Sequence, residues 1–183
     1  RGVKDIAGKE LPLHPSVQSV VLDVTDRKAV EQLIQLTVPD TIYHLAALTF
    51  VPDGEKDPFG VLGVNTEGSL NLFEAVRLHA PKARLLYVSS SEVYGQPRPG
   101  SLPLTEQAEL RPISTYGLSK AMADIAAFEY SYKHRLDIVR VRPFAHTGPG
   151  QRPEFALSSF ARQVAQIKLG ISPACIHVGN LEA

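Results

Sequence analysis

At 183 residues, 44% of them hydrophobic and 21% charged, the chain can build one packed domain, or one and part of another, and lacks the polar bias of a disordered segment. Its 19 Lys and Arg balance 19 Asp and Glu, which argues against a nucleic-acid reader, and no apolar run approaches the ~20 residues of a membrane span. The N-terminus is polar and lacks a signal region, and the single cysteine, Cys175, excludes an internal disulfide, so the reducing cytoplasm is the expected compartment.

Residues Ser16–Val24 carry the apolar run Val20-Val21-Leu22 and close on Asp23-Val24, which predicts a strand. Thr25 or Asp26 can cap a following helix in which Val30, Leu33, Ile34 and Leu36 recur at helical spacing. Pro39-Asp40 ends it. Thr41–Ala47 reads as a second apolar strand, followed by a loop holding Pro52, Asp53, Gly54 and Pro58. A helix is predicted from Val61 to Leu78, with Leu62, Leu70, Leu72, Phe73 and Val76 as core candidates. Arg84–Ser89 is a third strand and Ser89–Gly95 (SSSEVYG) the turn at its end; Gln96–Pro112, rich in proline, reads as an irregular excursion. Ser114–Arg135 is a long helix, Leu136–Val141 a fourth strand and Pro143–Pro153 a loop rich in Gly and Pro. Phe155–Leu169 is a last helix and Ala174–Val178 a last short strand.

Short apolar strands alternating with longer helices imply right-handed crossovers and a doubly wound α/β fold with a parallel sheet. Ligands of such sheets bind at the carboxyl ends of the strands. Asp23, Leu45-Ala46-Ala47, Ser89-Ser90-Ser91 and Pro143-Phe144 all fall there. That convergence points to an α/β enzyme more than to a binding module. The six histidines show no metal-ligand spacing, His146 and His177 reading as loop and strand residues, so no metal site is expected.

On the long helix, Tyr116 and Lys120 lie four apart and so share a face. A cation beside a phenol favours the phenolate and lowers a pKa that is ordinarily about 10, giving an acid–base group for alcohol or ketone chemistry. The competing reading is two side chains that reach out to solvent.

These features together resemble the extended short-chain dehydrogenase/reductase family, over essentially the whole chain. The resemblance rests on Asp23-Val24, LAA at Leu45–Ala47, NxxGxxNxxEA from Asn65 to Ala75, SSSEVYG at Ser89–Gly95, YGLSK at Tyr116–Lys120 and RPF at Arg142–Phe144. RPFAHTGPGQ (Arg142–Gln151) and VGNLEA (Val178–Ala183) most resemble its nucleotide-sugar branch, the GDP-4-keto-6-deoxy-D-mannose reductases and after them the GDP-mannose 4,6-dehydratases. The family opens with a strand and a GxxGxxG turn that seats the cofactor pyrophosphate at a helix N-terminus, and no such motif occurs here. GVLGVN at Gly60–Asn65 follows a Pro-containing loop and is in the wrong context. The chain is therefore expected to be part of a longer protein and, as it stands, to bind cofactor poorly.

The resemblance implies a Rossmann-like fold with residues 1–143 as a partial dinucleotide-binding domain and 144–183 as the beginning of a substrate region. It implies NADP or NAD as cofactor, a GDP-linked sugar as substrate and a homodimer paired through the helices Val61–Leu78 and Ser114–Arg135, lined by Phe128, Tyr130 and Tyr132. In the reaction it implies, Tyr116 exchanges a proton with the sugar C4 oxygen and Ser90 holds that oxygen. Lys120 lowers the phenol's pKa and binds the nicotinamide ribose, while Glu92 stands where dehydratases keep a base. Asp23 and Val24 meet the adenine, Leu45, Ala46 and Ala47 let the backbone approach the cofactor, Asn65 bonds backbone within its helix, and Pro143 and Phe144 complete the cofactor side. Ser90, Ser91, Glu92, Ala145 and Asn180 face the substrate; Ala145 replaces the Asn usual after RPF, which puts one sugar-nucleotide contact in doubt. Arg142 and Arg152 flank a loop where a diphosphate could lie. Several of these residues have structural alternatives: a helix cap for Asp23, a self-satisfied turn for Ser90, a solvated loop for Glu92, surface arginines. A dehydratase or epimerase, and a Rossmann-like module that binds nucleotide without turnover, stay open beside the reductase.

Overall fold

The computed structural model describes residues 14–179, which fall into two compact units: 21–144, and 145–179 together with 14–20. In the larger unit, α1 (Arg27–Thr37) begins on Asp26, whose carboxylate accepts from the Ala29 N–H at 3.1 Å. Val30 and Ile34, four apart, are its buried stripe, whereas Leu36 lies off that stripe and is 84% exposed. The segment before it is not the predicted strand. Its apolar residues Val20 and Val21 are exposed and it pairs with no strand among the described residues; a strand exists only through such pairing.

Strand β1 (Thr41–His44) stops earlier than predicted, and Leu45–Ala47 run on beyond its last partnered residue. The predicted loop after it is helical: α2 (Val51–Lys56) and α3 (Pro58–Leu62) each carry a proline in the first turn, where the missing N–H has no helical partner to lose. Asp57 caps α3 by accepting from the Gly60 N–H at 2.9 Å. The helix widens into a π-helical turn at Gly63–Glu67 and continues as α4 (Gly68–His79). Leu72, Phe73 and Val76 are buried as expected; Leu62 and Leu70 are half-buried.

Strand β2 (Arg84–Val88), a 3₁₀ turn (Ser91–Tyr94), α5 (Thr115–His134) and β3 (Asp137–Val141) complete the unit. The strands form a parallel sheet in the order β1-β2-β3, with His44, Tyr87 and Arg140 in one register row. Helices α1, α4 and α5 cover the face of Leu85 and Tyr87, building a core with Val30, Ile34, Phe73, Val76, Ala123 and Ala127. Phe73 meets the Tyr87 ring edge-on at 5.7 Å. Burying side chains of this size stabilises the fold by ~1.5–3 kcal/mol each. Tyr130, predicted for an outer face, turns inward, 5.8 Å from Phe73 and donating to Glu74 at 3.1 Å.

In the smaller unit, α6 (Ala156–Lys168) buries none of its residues. The strand predicted at Ala174–Val178 does not form. The His177 backbone bonds the Gln163 side-chain amide instead, donating its N–H at 2.7 Å and accepting at 3.1 Å, so a side chain satisfies what a strand partner would have.

Candidate active site

The N-terminus of α5 and the turn after β2 are fitted to one another by two glycines. Ser114 caps α5, accepting from the Gly117 N–H at 3.0 Å. A Cβ on Gly117 would stand 2.7 Å from the Glu92 carbonyl oxygen, so only glycine lets the Ser91–Tyr94 turn rest on the first turn of the helix. Gly95 leaves that turn at φ 61°, a left-handed conformation in which an added Cβ would meet the Arg111 carbonyl. Ser90 starts the turn, its hydroxyl accepting from the Glu92 N–H at 3.2 Å. Ser90, Glu92 and Tyr116 are thereby brought together: burial raises the Tyr116 pKa, hydrogen bonding from the Ser90 side chain pulls it down, and the nearby Glu92 charge pushes it up. The net direction is upward. The depression expected from Lys120 is not present: burial sets the direction, and the group that favours the anion is Ser90 rather than Lys120.

Lys120 sits one turn further along α5 and is 4% exposed. Its Nζ donates to the Val88 carbonyl at 2.8 Å and lies 5.4 Å from the centre of the Tyr87 ring. Burial lowers its pKa to about 8. An ammonium has three donors, and among the described residues one hydrogen bond uses them, leaving two N–H groups without a partner there in a nearly water-free site. His44, 5% exposed, is lowered to about 4 by burial and by the Lys120 charge, and is neutral near pH 7. Its Nε2 is 3.0 Å from Ser69 Oγ, which itself donates to the Asn65 carbonyl and so accepts from the imidazole.

Asn65 does not bond backbone in its own helix through its side chain, as expected. From the π-helical turn it reaches across, accepting from Leu48 N–H at 2.8 Å and donating to the Leu48 carbonyl at 3.0 Å and to Ser119 Oγ at 2.9 Å. Ser119 Oγ in turn donates to the Tyr116 carbonyl at 2.7 Å. The wide turn aims Asn65 at the segment following Leu45–Ala47 and fastens that segment to α5.

Asp23 is exposed, and its carboxylate accepts from the Thr25 N–H at 2.9 Å and hydroxyl at 2.8 Å, which hold its pKa down. The helix cap is Asp26, so Asp23 is not needed for that role. Val24 packs against Gly68, where a Cβ would lie 2.6 Å from its Cγ2, and Asn71 donates to its carbonyl at 3.0 Å. Leu45 is 68% exposed. Ser91 donates its N–H to the Pro143 carbonyl at 3.0 Å, tying the serine turn to the end of β3. Pro143 and Phe144 line a cleft of about 450 Å³ with Tyr94, Leu104 and Thr105. Ala145 opens the other unit and is exposed; Asn180 lies outside the described residues.

Arg142 is not available to a diphosphate. Its guanidinium donates to Asp124 Oδ2 and Oδ1, each at 2.8 Å, and to the Tyr94 hydroxyl and the Glu106 carbonyl, each at 3.0 Å. Arg152 is exposed and pairs with Glu154 at 3.3 Å. Asp124 was missed from the sequence. It stands four residues after Lys120, on the face already singled out, and Arg140 and Arg142 alternate at and just past the end of the strand opposite, which is the signal that could have found it. Among the described residues no cluster of three His, Cys, Asp or Glu could hold a metal, and no helix is long and apolar enough to cross a membrane.

Residues 3–183 match the sequence profile of the GDP-mannose 4,6-dehydratase family. The chain belongs to that family. The GDP-mannose 4,6-dehydratase family is a nucleotide-sugar branch of the extended short-chain dehydrogenases/reductases, and its Rossmann-like architecture is the parallel sheet seen here. Within the same branch, the GDP-6-deoxy-D-mannose reductase of Pseudomonas aeruginosa is 35% identical over 145 residues, 79% of this chain and 48% of that protein. A GDP-mannose 4,6-dehydratase of Yersinia enterocolitica is 29% identical over 88% of this chain and 43% of its own length. Among solved structures, RMD from Pseudomonas aeruginosa complexed with NADPH superposes with a TM-score of 0.82 at 33% identity, covering 88% of this chain and 54% of that one. The DesIV dTDP-glucose 4,6-dehydratase of Streptomyces venezuelae, with NAD and TYD bound, gives 0.75 at 29% identity, over 86% of this chain and 46% of that one. The chain spans about half the length of the curated relatives it matches.

Proposed function

We propose that this protein carries out the NAD(P)-dependent reduction of a GDP-linked 4-keto-6-deoxy sugar, of the type that converts GDP-4-keto-6-deoxy-D-mannose to GDP-D-rhamnose. The observation that carries this reading is the meeting of Ser90, Glu92 and Tyr116 beside a buried Lys120 that has two donors to spare. Likeness to the GDP-6-deoxy-D-mannose reductase supports the substrate class.

The residues fit a nicotinamide dinucleotide. Lys120 has buried donors for the hydroxyls of a ribose, Asp23 an exposed carboxylate for an adenine amino group, and Ala46 and Ala47 small side chains that leave room for a close approach. That cofactor supplies hydride to the sugar C4. Tyr116, its pKa above the ordinary value, is fully protonated near neutral pH and donates its proton to the C4 oxygen. The Glu92 charge helps keep the phenol protonated, which suits an acid; the Ser90 hydroxyl donates to the same C4 oxygen. Once the proton has left, the phenolate is stabilised by Ser90 and recovers a proton from solvent.

Reduction and dehydration separate on stoichiometry. With GDP-4-keto-6-deoxymannose and reduced cofactor, a reductase oxidises one cofactor per sugar, whereas a dehydratase returns its cofactor unchanged. Tyr116→Phe is expected to lower kcat by ~10²–10⁴-fold with the fold intact; unchanged turnover would remove Tyr116 as the proton donor, and a wild-type protein that binds nucleotide with no turnover would leave only the nucleotide-binding module. A dehydratase remains the second reading because Glu92 is exposed beside Tyr116, where a base for C5 would be needed.

A homodimer through α5 is supported by a stripe of exposed apolar residues, Leu118, Met122, Ile125, Phe128 and Tyr132, at helical spacing. A monomer in sedimentation velocity at micromolar concentration removes the homodimer. The exposed free thiol of Cys175 suits a cytoplasmic location, which cell fractionation checks.

A further inference from the structure

We infer that Asp124 and Arg142 are positioning residues which set the Ser90–Glu92 turn against Tyr116; the inference rests on the reductase reading and extends it to side chains that touch no substrate. The residues form a closed circuit. Asp124 lies two helical turns beyond Tyr116 on α5 and is completely buried. Arg142 grips both its oxygens at 2.8 Å, and Arg140 adds a third bond at 2.8 Å. From the same guanidinium one N–H reaches the hydroxyl of Tyr94, the last residue of the 3₁₀ turn that holds Ser91 and Glu92. The guanidinium also lies 5.3 Å from the Tyr94 ring centre. The backbone on either side of Arg142 closes the loop, since Val141 accepts from Ser89 N–H at 2.8 Å and Pro143 from Ser91 N–H at 3.0 Å.

So the turn carrying Ser90 is hung between the end of β3 and α5; Arg140 ties β3 to Asp124, and Asp124–Arg142 is the charged fastening that also reaches the turn, through Tyr94. Helix propensity does not ask for an aspartate in mid-helix, and a carboxylate at zero exposure is retained only where it is paired. A fork of two parallel N–H···O bonds fixes angle as well as distance, which a lysine could not do. Small displacements of a proton donor from its acceptor cost large factors in rate, so a residue that fixes this angle acts on catalysis without touching the substrate.

The test uses the whole protein with GDP-4-keto-6-deoxymannose and reduced cofactor, and two variants. Asp124→Asn keeps the shape and removes the charge; Tyr94→Phe keeps the ring and the Asp124–Arg142 pair and removes only the acceptor at the turn. Rates are referred to folded molecules counted by circular dichroism. Asp124→Asn is expected to lower kcat by ~10–100-fold and Tyr94→Phe by several-fold, with KM within about two-fold and with reduced-cofactor affinity unchanged. Wild-type kcat per folded molecule in both variants makes the network merely structural and overturns the inference. Failure of the reductase reading shows separately, as a wild-type protein that oxidises no cofactor. Amide exchange of Glu92 to Gly95, which needs no substrate, still reads the positioning then: faster exchange in both variants supports it, and unchanged protection overturns it.

Discussion

Of the side-chain bonds that fasten α5 to its surroundings, those on the β1 side and those on the β3 side are built from opposite chemistry. On the first, a single neutral amide, Asn65, makes three hydrogen bonds at 1% exposure, to Leu48 twice and to Ser119. On the second, a fully buried carboxylate, Asp124, faces two guanidinium groups. The neutral clamp desolvates no charge, so each bond it makes is a small gain. Building the ionic clamp sets Coulomb attraction against a desolvation penalty of similar size, yet leaving either partner alone is costly. For Asp124, burial alone would raise its pKa; the Arg142 hydrogen bonds lead the groups that outweigh it, and the net direction is down. The lesson is that the two clamps respond differently to being broken even where they do the same mechanical job.

Breaking each in turn gives the largest expected effects. Asp124→Ala strands Arg142, only 13% exposed, and is expected to cost ~3–5 kcal/mol, read from urea midpoints at constant m. Asn65→Leu leaves the Leu48 N–H and carbonyl unpaired, but Leu48 is 46% exposed and water can reach it, so ~1–3 kcal/mol is expected. Losses of equal size would show that charge does not distinguish the clamps.

Acid sharpens the comparison in an unexpected order. His44 connects to the neutral clamp through Ser69, and its pKa falls from 6.5 in the unfolded chain to about 4 in the fold. The unfolded chain therefore takes up the proton first as pH drops below 6.5. Stability falls between pH 6.5 and 4, with a slope approaching ~1.4 kcal/mol per pH unit. The Asp124 contribution has its window lower: it is complete above the ordinary carboxylate value of 3.8 and is lost only as pH falls through the depressed folded value. The clamp without charge is thus reached by acid before the clamp made of charges. His44→Gln, which can still donate to Ser69, should flatten the decline between pH 6.5 and 4; an unaltered slope would rule His44 out.

What was legible in the chain depended on how local its cause was. The alternation of β1, α4, β2, α5 and β3 follows from periodicity and came through, as did the helix that carries Tyr116 and Lys120 one turn apart. Asp23-Val24 was misread as a strand end because apolar content was visible and the need for a pairing partner was not. Pro52 and Pro58 read as loop markers in the sequence, although a proline in a first turn is compatible with a helix. The Arg142 role was hidden for another reason. A guanidinium near a candidate phosphate site and one locked to a buried aspartate have the same sequence signature, and only packing separates them. The same holds for Tyr116, whose pKa direction was decided by burial, which no i, i+4 spacing reports.

The smallest expected effect isolates why the ionic clamp matters at all. Arg84 and Asp137 pair at 2.7 Å across β2 and β3, slightly closer than the 2.8 Å between Arg142 and Asp124. Their side chains are 66% and 49% exposed, against 13% and 0% for the buried pair. If separation set the energy, Asp137→Asn should cost at least as much as loss of Asp124. If the surrounding dielectric sets it, water screens the surface pair and the cost stays under ~1 kcal/mol, shrinking further with added salt. Urea midpoints of Asp137→Asn at low and high ionic strength, beside those of Asp124→Ala, decide between the two. The second outcome is expected, because a freed Arg84 is hydrated at once, whereas a freed Arg142 stays enclosed between α5 and the Tyr94 turn with its charge unanswered.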